Sequence, residues 1–576
     1  MRNTYFLKSL RASLLAVGVT FGAVCVTAML DAPRVHAATS QLDQPTHRQV
    51  RTIVPKIDGK PVALHTLTTN PDGLIIAGVG GRSMTYQTLE DGGLKPVSSE
   101  QPAAVLLLDS MGETVKQIDV EFTPTAVTVS PDGTIYAGGS GKIVQISADG
   151  EVLASIDSPH AGDQEAMRKE AIKSIKRQRK MMAEMYSSQV ETLEEQIDAI
   201  KEKDEDDRSR LENARLEAFE EQLEMFKGMM GGDPDGEPTD EEIESAIEQS
   251  LKITSMAASN EDLFICASLP MAGFKVWRVD GDLKSVDGDA KVVLDSLSGC
   301  CGQMDIQCCE DVLVVSENTR FKVGMYDRDG ERLSSFGGRD RTSKKGFGSC
   351  CNPMNSLPLQ DGSILTAESS IGHIKRFDQD GELIAYIGKA KIGGGCKHCS
   401  LGYDEKNDLY YMQYQDENAI CVLANVQSTP LSASEKELLA KQDAFFGKLA
   451  GTWTNVKAKD QPKENNGIVA ALFGGGRGTD SNLPISAMEV QSDGSAKILG
   501  GMYAAYGDSS QFMVKQSDGD NSADGVPFGL AVDQVEFMTG NWRFVDEQTA
   551  EITLVGMPKM TMKRKVEACP NACDSD

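Results

Sequence analysis

One phrase recurs six times along this chain of 576 residues: a turn carrying Asp, Asn or Gly, then a short apolar strand ending in small residues. It reads PDGLIIAGVGG from Pro71, PDGTIYAGGSG from Pro131 and NEDLFICASLP from Asn260. It returns as CEDVLVVSENT from Cys309, QDGSILTAESS from Gln360 and KNDLYYMQYQD from Lys406. Several copies continue into another strand and a second turn, as FKVGMYDRDGERLSSFG and HIKRFDQDGELIAYIG do. The second-turn glycines Gly281, Gly330 and Gly381 stand 49 and 51 residues apart.

A repeat of roughly 40 to 50 residues with several strands per unit is the period of a β-propeller blade. The 55 glycines are what so many turns require. The fold expected is mainly β, a six-bladed propeller carrying an inserted helical hairpin and followed by an antiparallel β domain. Blades 1 and 2 are assigned to residues 47–158 and blades 3 to 6 to residues 251–430. In TAVTVSPDGTIYAGGSGKIVQISADGE and NSLPLQDGSILTAESSIGHIKRFDQDGE the chain resembles the NHL-repeat family of propellers nearly strand for strand. The resemblance runs from about His47 to Val426 less one insertion, and loosens in blades 3 and 6, where the turn glycine is missing. It implies an interaction surface more often than catalysis, so a protein- or ligand-binding module is the leading expectation.

The insertion occupies residues 159–250. Tyr186, Val190, Leu193, Ile197 and Ile200 repeat at coiled-coil spacing, KDEDDRSR breaks the pattern, and Leu211, Phe219, Leu223, Phe226 and Met230 resume it. Two long helices folded back on each other are expected, then a short third helix opened by a Thr239–Glu242 capping box. The first helix begins basic and later parts are acidic, which fits internal pairing or an arm for a partner or for self-association. Residues 431–566 read as a helix capped by Ser434 and Glu437, then a meander of short strands separated by turn residues, DQVEFMTG and NWRFVDE among them. That segment opens on Gly-Thr-Trp at 451–453 and resembles lipocalin-like domains. The tail 567–576 carries Cys569 and Cys573, expected to form a local disulfide.

The first 37 residues have a basic start, an apolar run from Ala12 to Leu30 and small residues at Val35–Ala37, the pattern of an export signal. The chain is expected in the periplasm or outside the cell. The run is also just long enough to span, so an uncleaved anchor is the one route to a membrane. A formal charge of -28 argues against nucleic acid and anionic lipid as partners.

Removal of the signal takes Cys25 and leaves twelve cysteines, an even number in an oxidising compartment. Cys300 and Cys301, Cys350 and Cys351, and Cys396 and Cys399 all sit eight to eleven residues ahead of a blade's first turn. Equal register in consecutive blades brings the three pairs to one sector of one channel mouth. Cys308 and Cys309 lie seven residues beyond Cys301, about 23 Å away along an extended strand. Three readings of the mouth are open: disulfides within or between blades, a metal or iron–sulfur site on thiolates, or redox-active vicinal disulfides. Glu317 and Glu368 end the second strands of blades 4 and 5. They read either as acceptors of backbone N–H groups or as channel carboxylates of the kind propeller hydrolases of the lactonase type use. Arg339, Arg341, Lys344 and Lys345 form a basic loop ahead of Cys350.

Overall fold

The repeated turn has a local chemical cause. In the computed structural model of the chain, Asp327 Oδ1 accepts the backbone N–H groups of Asp329 at 3.0 Å and Glu331 at 2.7 Å. Asp378 Oδ1 does the same for Asp380 at 3.0 Å and Glu382 at 2.8 Å. Gly330 and Gly381 then take φ of 89° and 85°, the left-handed region that closes the turn and favours glycine. The third repeat departs from this. Asp280 holds the Asp282 N–H, and the left-handed residue is Leu283 at φ 53°, so Gly281 stands two positions ahead of the place its sequence spacing assigned it.

The structure describes residue 42 and residues 44–564, apart from 89–93, 163, 205–206, 230–235, 270–272, 284–289, 301, 341–342, 349–350, 370, 393–396, 438, 441–442, 444–449, 456–486, 491–494, 501–509, 515–525, 533–534, 547 and 555–559. Among these residues, six four-stranded antiparallel sheets succeed one another. Their first strands are Leu64–Thr69, Ala126–Val129, Ile253–Ala258, Ile306–Cys309, Asn355–Pro358 and Leu401–Asp404. Each first strand touches the next in order, and the sixth returns to the first. Sheets closed into a ring on their inner strands make a β-propeller.

The sixth sheet takes its outer strand from the other end of the chain. Arg48–Ile53 pairs antiparallel with Ala419–Ala424, Thr52 opposite Cys421. Its sequence position had assigned it to the first two blades; the pairing puts it in the last. Backbone groups that would otherwise form an open edge are thereby satisfied, and the ring is tied shut.

The core lies between sheets rather than within them. Ile75, Ala77 and Val79 point toward the sixth sheet, where Tyr411, Ile420 and Val422 meet them, while Ile76 faces Val127 and Ile135 of the second sheet. In the fourth sheet Leu313 and Val315 pack on the third, and Val314 packs on the fifth. A strand buried on both faces must be apolar at every position, which is why VLVV and LIIA read as unbroken runs. Each such side chain contributes roughly 1.5–3 kcal/mol.

The insertion forms α1 (Gln164–Lys201), α2 (Arg210–Met229) and α3 (Asp240–Ser250). Leu193 and Ile197 pack on Leu223, with Val190, Leu216 and Phe219 alongside; Phe226 and Met230 lie outside the described side chains. The basic start of α1 pairs with acids at and before α3: Arg168 with Asp240, Lys176 with Glu237, and Arg179 with Glu242. Thr239 and Glu242 form both halves of a capping box. No helix among the described residues is long and apolar enough to cross a membrane.

The helix after the ring is capped by Ser432 and Glu435, not by Ser434 and Glu437: Glu435 accepts the Ser432 N–H at 2.7 Å, and Ser432 Oγ accepts the Glu435 N–H. Ion pairs from Arg51 to Glu435 at 2.8 Å and Arg48 to Asp443 at 2.7 Å hold it on the closing strand, which decides between the two overlapping cap registers. Eight further strands form a closed barrel from Gly451–Asn455 to Met560–Arg564. Buried Trp453 and Trp542 meet edge to face at 5.1 Å, and Arg564 lies 4.9 Å over the Trp453 ring. The runs DQVEFMTG and NWRFVDE, read from sequence as two strands, are one, Val535–Phe544, and Val526–Val532 and Met560–Arg564 are additional strands.

Candidate functional site

The loops that lead into the inner strands carry the cysteines. Cys300 precedes the fourth inner strand, Cys351 precedes the fifth, and a disulfide joins them at a Cα separation of 5.6 Å. Each is bonded to the neighbouring sheet, so neither takes part in a disulfide with its own sequence neighbour. Cys399, ahead of the sixth inner strand, packs with Cys351 in an apolar cluster that Cys421 shares and Cys300 borders. Cys301, Cys350, Cys396, Cys569 and Cys573 lie outside the described residues. The fourth inner strand begins only at Ile306, so Cys300 belongs to a loop rather than to the strand. Cys308 and Cys309 end that strand, with Cys308 against the cluster of the third and fourth sheets and Cys309 donating to the Leu359 carbonyl.

Burial raises the pKa of the remaining thiols of this sector. Cys421 is pushed up to about 12 and Cys399 well above the ordinary thiol range, in both by loss of solvation. Cys266 and Cys308 are also pushed up to about 12. Metals and clusters take thiolates, and these groups are held protonated among apolar neighbours. Two more sulfurs are committed to the Cys300–Cys351 bond. Among the described residues no group of three or more His, Cys, Asp and Glu is arranged to hold an ion.

The two glutamates are buried and occupied. Glu317 accepts from Tyr326 Oη at 2.8 Å and pairs with Arg332 at 2.8 Å and Arg320 at 3.2 Å. Glu368 accepts the Gly348 N–H at 2.9 Å and pairs with buried Lys375 at 2.6 Å. Burial raises the Glu368 pKa, but Lys375 and His373 outweigh it and bring it down to about 2. Apart from the strand-end Arg320 and the Gly348 loop, these partners sit on the third and fourth strands of the sheets, away from the inner strands. In the basic loop, Arg339 lies over Phe321 and Lys344 over Tyr386, while Arg341 is outside the described residues.

The ring axis itself holds a small polar cavity, with room for about one water-sized group. Every sheet contributes: Thr66 from the first, Val127 from the second, Thr254 and Ser255 from the third, Asp305 and Gln307 from the fourth, Asn355 from the fifth, His398 and Ser400 from the sixth. Asp305 is 3% exposed. Its carboxylate accepts from Ser255 Oγ at 3.0 Å, the Ser356 N–H at 3.0 Å and Gln307 Nε2 at 3.3 Å. Among the described residues no cation offsets its charge, and burial raises its pKa to about 7. The Asn355 amide oxygen, also buried, has no hydrogen-bond partner.

At the mouth, His398 Nε2 and Ser400 Oγ are 2.9 Å apart, and Ser400 also reaches Gln413 and Thr66 at 3.2 Å. Burial and then the charge of Lys252 lower His398 to about 3. The same two causes lower His65, which sits 2.6 Å from the Gly80 carbonyl. A histidine this hard to protonate is a poor general base, so the Ser400–His398 contact does not make an activated nucleophile. Sequence reasoning singled out none of Asp305, Asn355 and Lys252. The available signal was their shared place, at or immediately before the start of an inner strand.

No family model matches the chain, and no curated protein matches it. Solved structures similar to it include the Pan2 WD40 domain of Neurospora crassa, at 9% identity and TM-score 0.32, covering 67% of this chain and 97% of that one. Virginiamycin B lyase from Staphylococcus aureus matches at 11% identity and TM-score 0.30, covering 65% and 99%. The Cps50 (Swd1) β-propeller domain of Myceliophteria thermophila matches at 9% and 0.32, covering 66% and 99%. At these scores the likenesses carry no functional inference, and the fold rests on the ring closure described above.

Proposed function

We propose that this chain is an exported, six-bladed propeller of the NHL type that works as a binding module, taking a small polar ligand or a partner's side chain into its axial cavity. The observation that carries the reading is the convergence of all six sheets on one polar cavity, where buried Asp305 meets no cation and the Asn355 amide oxygen has no hydrogen-bond partner among the described residues. Buried polar groups are costly unless paired, and a ligand pairs them. The six repeated phrases and their Asp-x-x-Gly turns support the NHL assignment. The basic and apolar start of the chain supports export, and the Cys300–Cys351 bond suits an oxidising compartment. The C-terminal segment is then a second β domain tethered to the ring by the Ser432-capped helix.

Native mass spectrometry of the full chain with a library of small polar metabolites tests this. A 1:1 adduct released unchanged supports a binding module. Conversion of a library compound into product would overturn it in favour of a propeller hydrolase.

A further inference from the structure

The chemistry of the cavity restricts what it can hold. Its lining presents acceptors: the Asp305 carboxylate and the Asn355 amide oxygen, which has no partner among the described residues. One carboxylate matches one positive charge, whereas calcium and magnesium gather several charged oxygens. Acceptors in this number call for N–H donors, which an ammonium carries and a bare alkali ion does not. The chain's charge of -28 draws cations toward the molecule.

The mouth adds a second restriction. Lys252 immediately precedes the third inner strand, and its charge reaches His65 of the first and His398 of the sixth. Lys252, His65 and His398 all stand where the chain enters an inner strand, so the ammonium lies at the end of the ring where His398 lines the cavity. Among the described residues its side chain makes no hydrogen bond or ion pair.

We propose that the axial cavity binds a singly charged ammonium group, seated on Asp305 and Asn355, and that Lys252 at the mouth selects monoamines over diamines. The proposal rests on the cavity being the binding site. An ammonium on Asp305 supplies the opposite charge that a buried carboxylate needs, and three donors that the surrounding oxygens accept. A second ammonium on the same ligand would approach Lys252, and like charges in a poorly solvated mouth repel. The ammonium can belong to a free small amine or to the lysine side chain of a protein partner.

Isothermal titration of the full chain at neutral pH tests it, with methylammonium, tetramethylammonium and 1,4-diaminobutane as chlorides at equal ionic strength. Methylammonium is expected to bind, and tetramethylammonium, which has no donors, to bind at least tenfold more weakly. Diaminobutane should also bind at least tenfold more weakly than methylammonium, and Lys252→Gln should close that gap. Asp305→Asn should abolish methylammonium binding. Asn355→Asp, which adds a carboxylate, should strengthen it, so the proposal stays testable if the first variant folds poorly. Nα-acetyl-lysine methylamide separates the sources: binding assigns the site to a partner's lysine, and exclusion with methylammonium still bound assigns it to free amines. Equal affinity for methylammonium and tetramethylammonium, or full binding by Asp305→Asn, would overturn the proposal. An axial adduct lacking any amine would overturn it while leaving the binding-module reading intact.

Discussion

Replacing Asp305 by Asn should remove the pH dependence that this one buried group imposes on the ring. The folded carboxyl titrates at about 7 against an ordinary value of 3.8, because burial disfavours its charged form. Between those values the folded state holds a proton that the unfolded state has lost, so stability falls as pH rises toward 7 and levels off above it. At roughly 1.36 kcal/mol per unit, most of the effect between pH 5 and pH 8 amounts to about 3 kcal/mol. The Asn variant carries no charge at either pH. It is expected to exceed the parent by roughly 1.5 kcal/mol near pH 5 and by about 4 kcal/mol near pH 8, in each case less about 1 kcal/mol if its amide faces the Ser356 N–H. Trp277 of the third sheet reports the ring once Trp453 and Trp542 of the barrel are replaced by Phe, since the chain has only 3 tryptophans. Urea unfolding followed by its emission at the two pH values gives the difference directly. A parent-to-variant gap that is the same at pH 5 and pH 8 would refute the reasoning.

Four further outcomes are expected. Replacing Cys300 and Cys351 together by Ser removes a cross-link between residues 51 apart and should cost up to about 4 kcal/mol, read as a lower urea midpoint that added reductant no longer changes. Lys375→Ala leaves Glu368 buried without its cation and should cost about 3–5 kcal/mol. Because the folded Glu368 pKa is lowered to about 2, the stability it contributes is present above its ordinary value of 4.5 and is lost as pH falls toward 2; the parent should shed that increment in acid urea titrations and Glu368→Gln should not. Replacing residues 159–250 by a short Gly/Ser linker should leave Trp277 melting cooperatively, because Ser158 and Leu251 both hydrogen-bond to Gly141 and so already stand together. A broad, non-cooperative melt would show that the helices support the blades.

What could be read from sequence was what local chemistry decides. The Asp-x-Asp-Gly turn works through hydrogen bonds spanning four residues, so its recurrence announced the strands around it. The Thr239–Glu242 box is equally local. Pairings between distant segments left no such mark: Arg48–Ile53 lacks the phrase, and only its partner strand, some 370 residues on, makes it part of the sixth sheet. Two Ser-x-x-Glu registers overlap at residues 432–437, and a contact with Arg51 selects between them. Gly540 looked like a turn but lies inside a barrel strand. The cysteines drew attention because they are rare and paired, yet those described are bonded or buried as thiols. Asp305 and Asn355 were inconspicuous because they gain significance only when six strands converge on an axis.

A crystal structure of the full chain grown with methylammonium chloride tests the axial cavity most directly. Ligand density is predicted on the ring axis, within hydrogen-bond distance of Asp305 and the Asn355 amide oxygen, with the Lys252 ammonium above it. Ligand density elsewhere on the molecule, with none on the ring axis and Asn355 turned away from it, would contradict it.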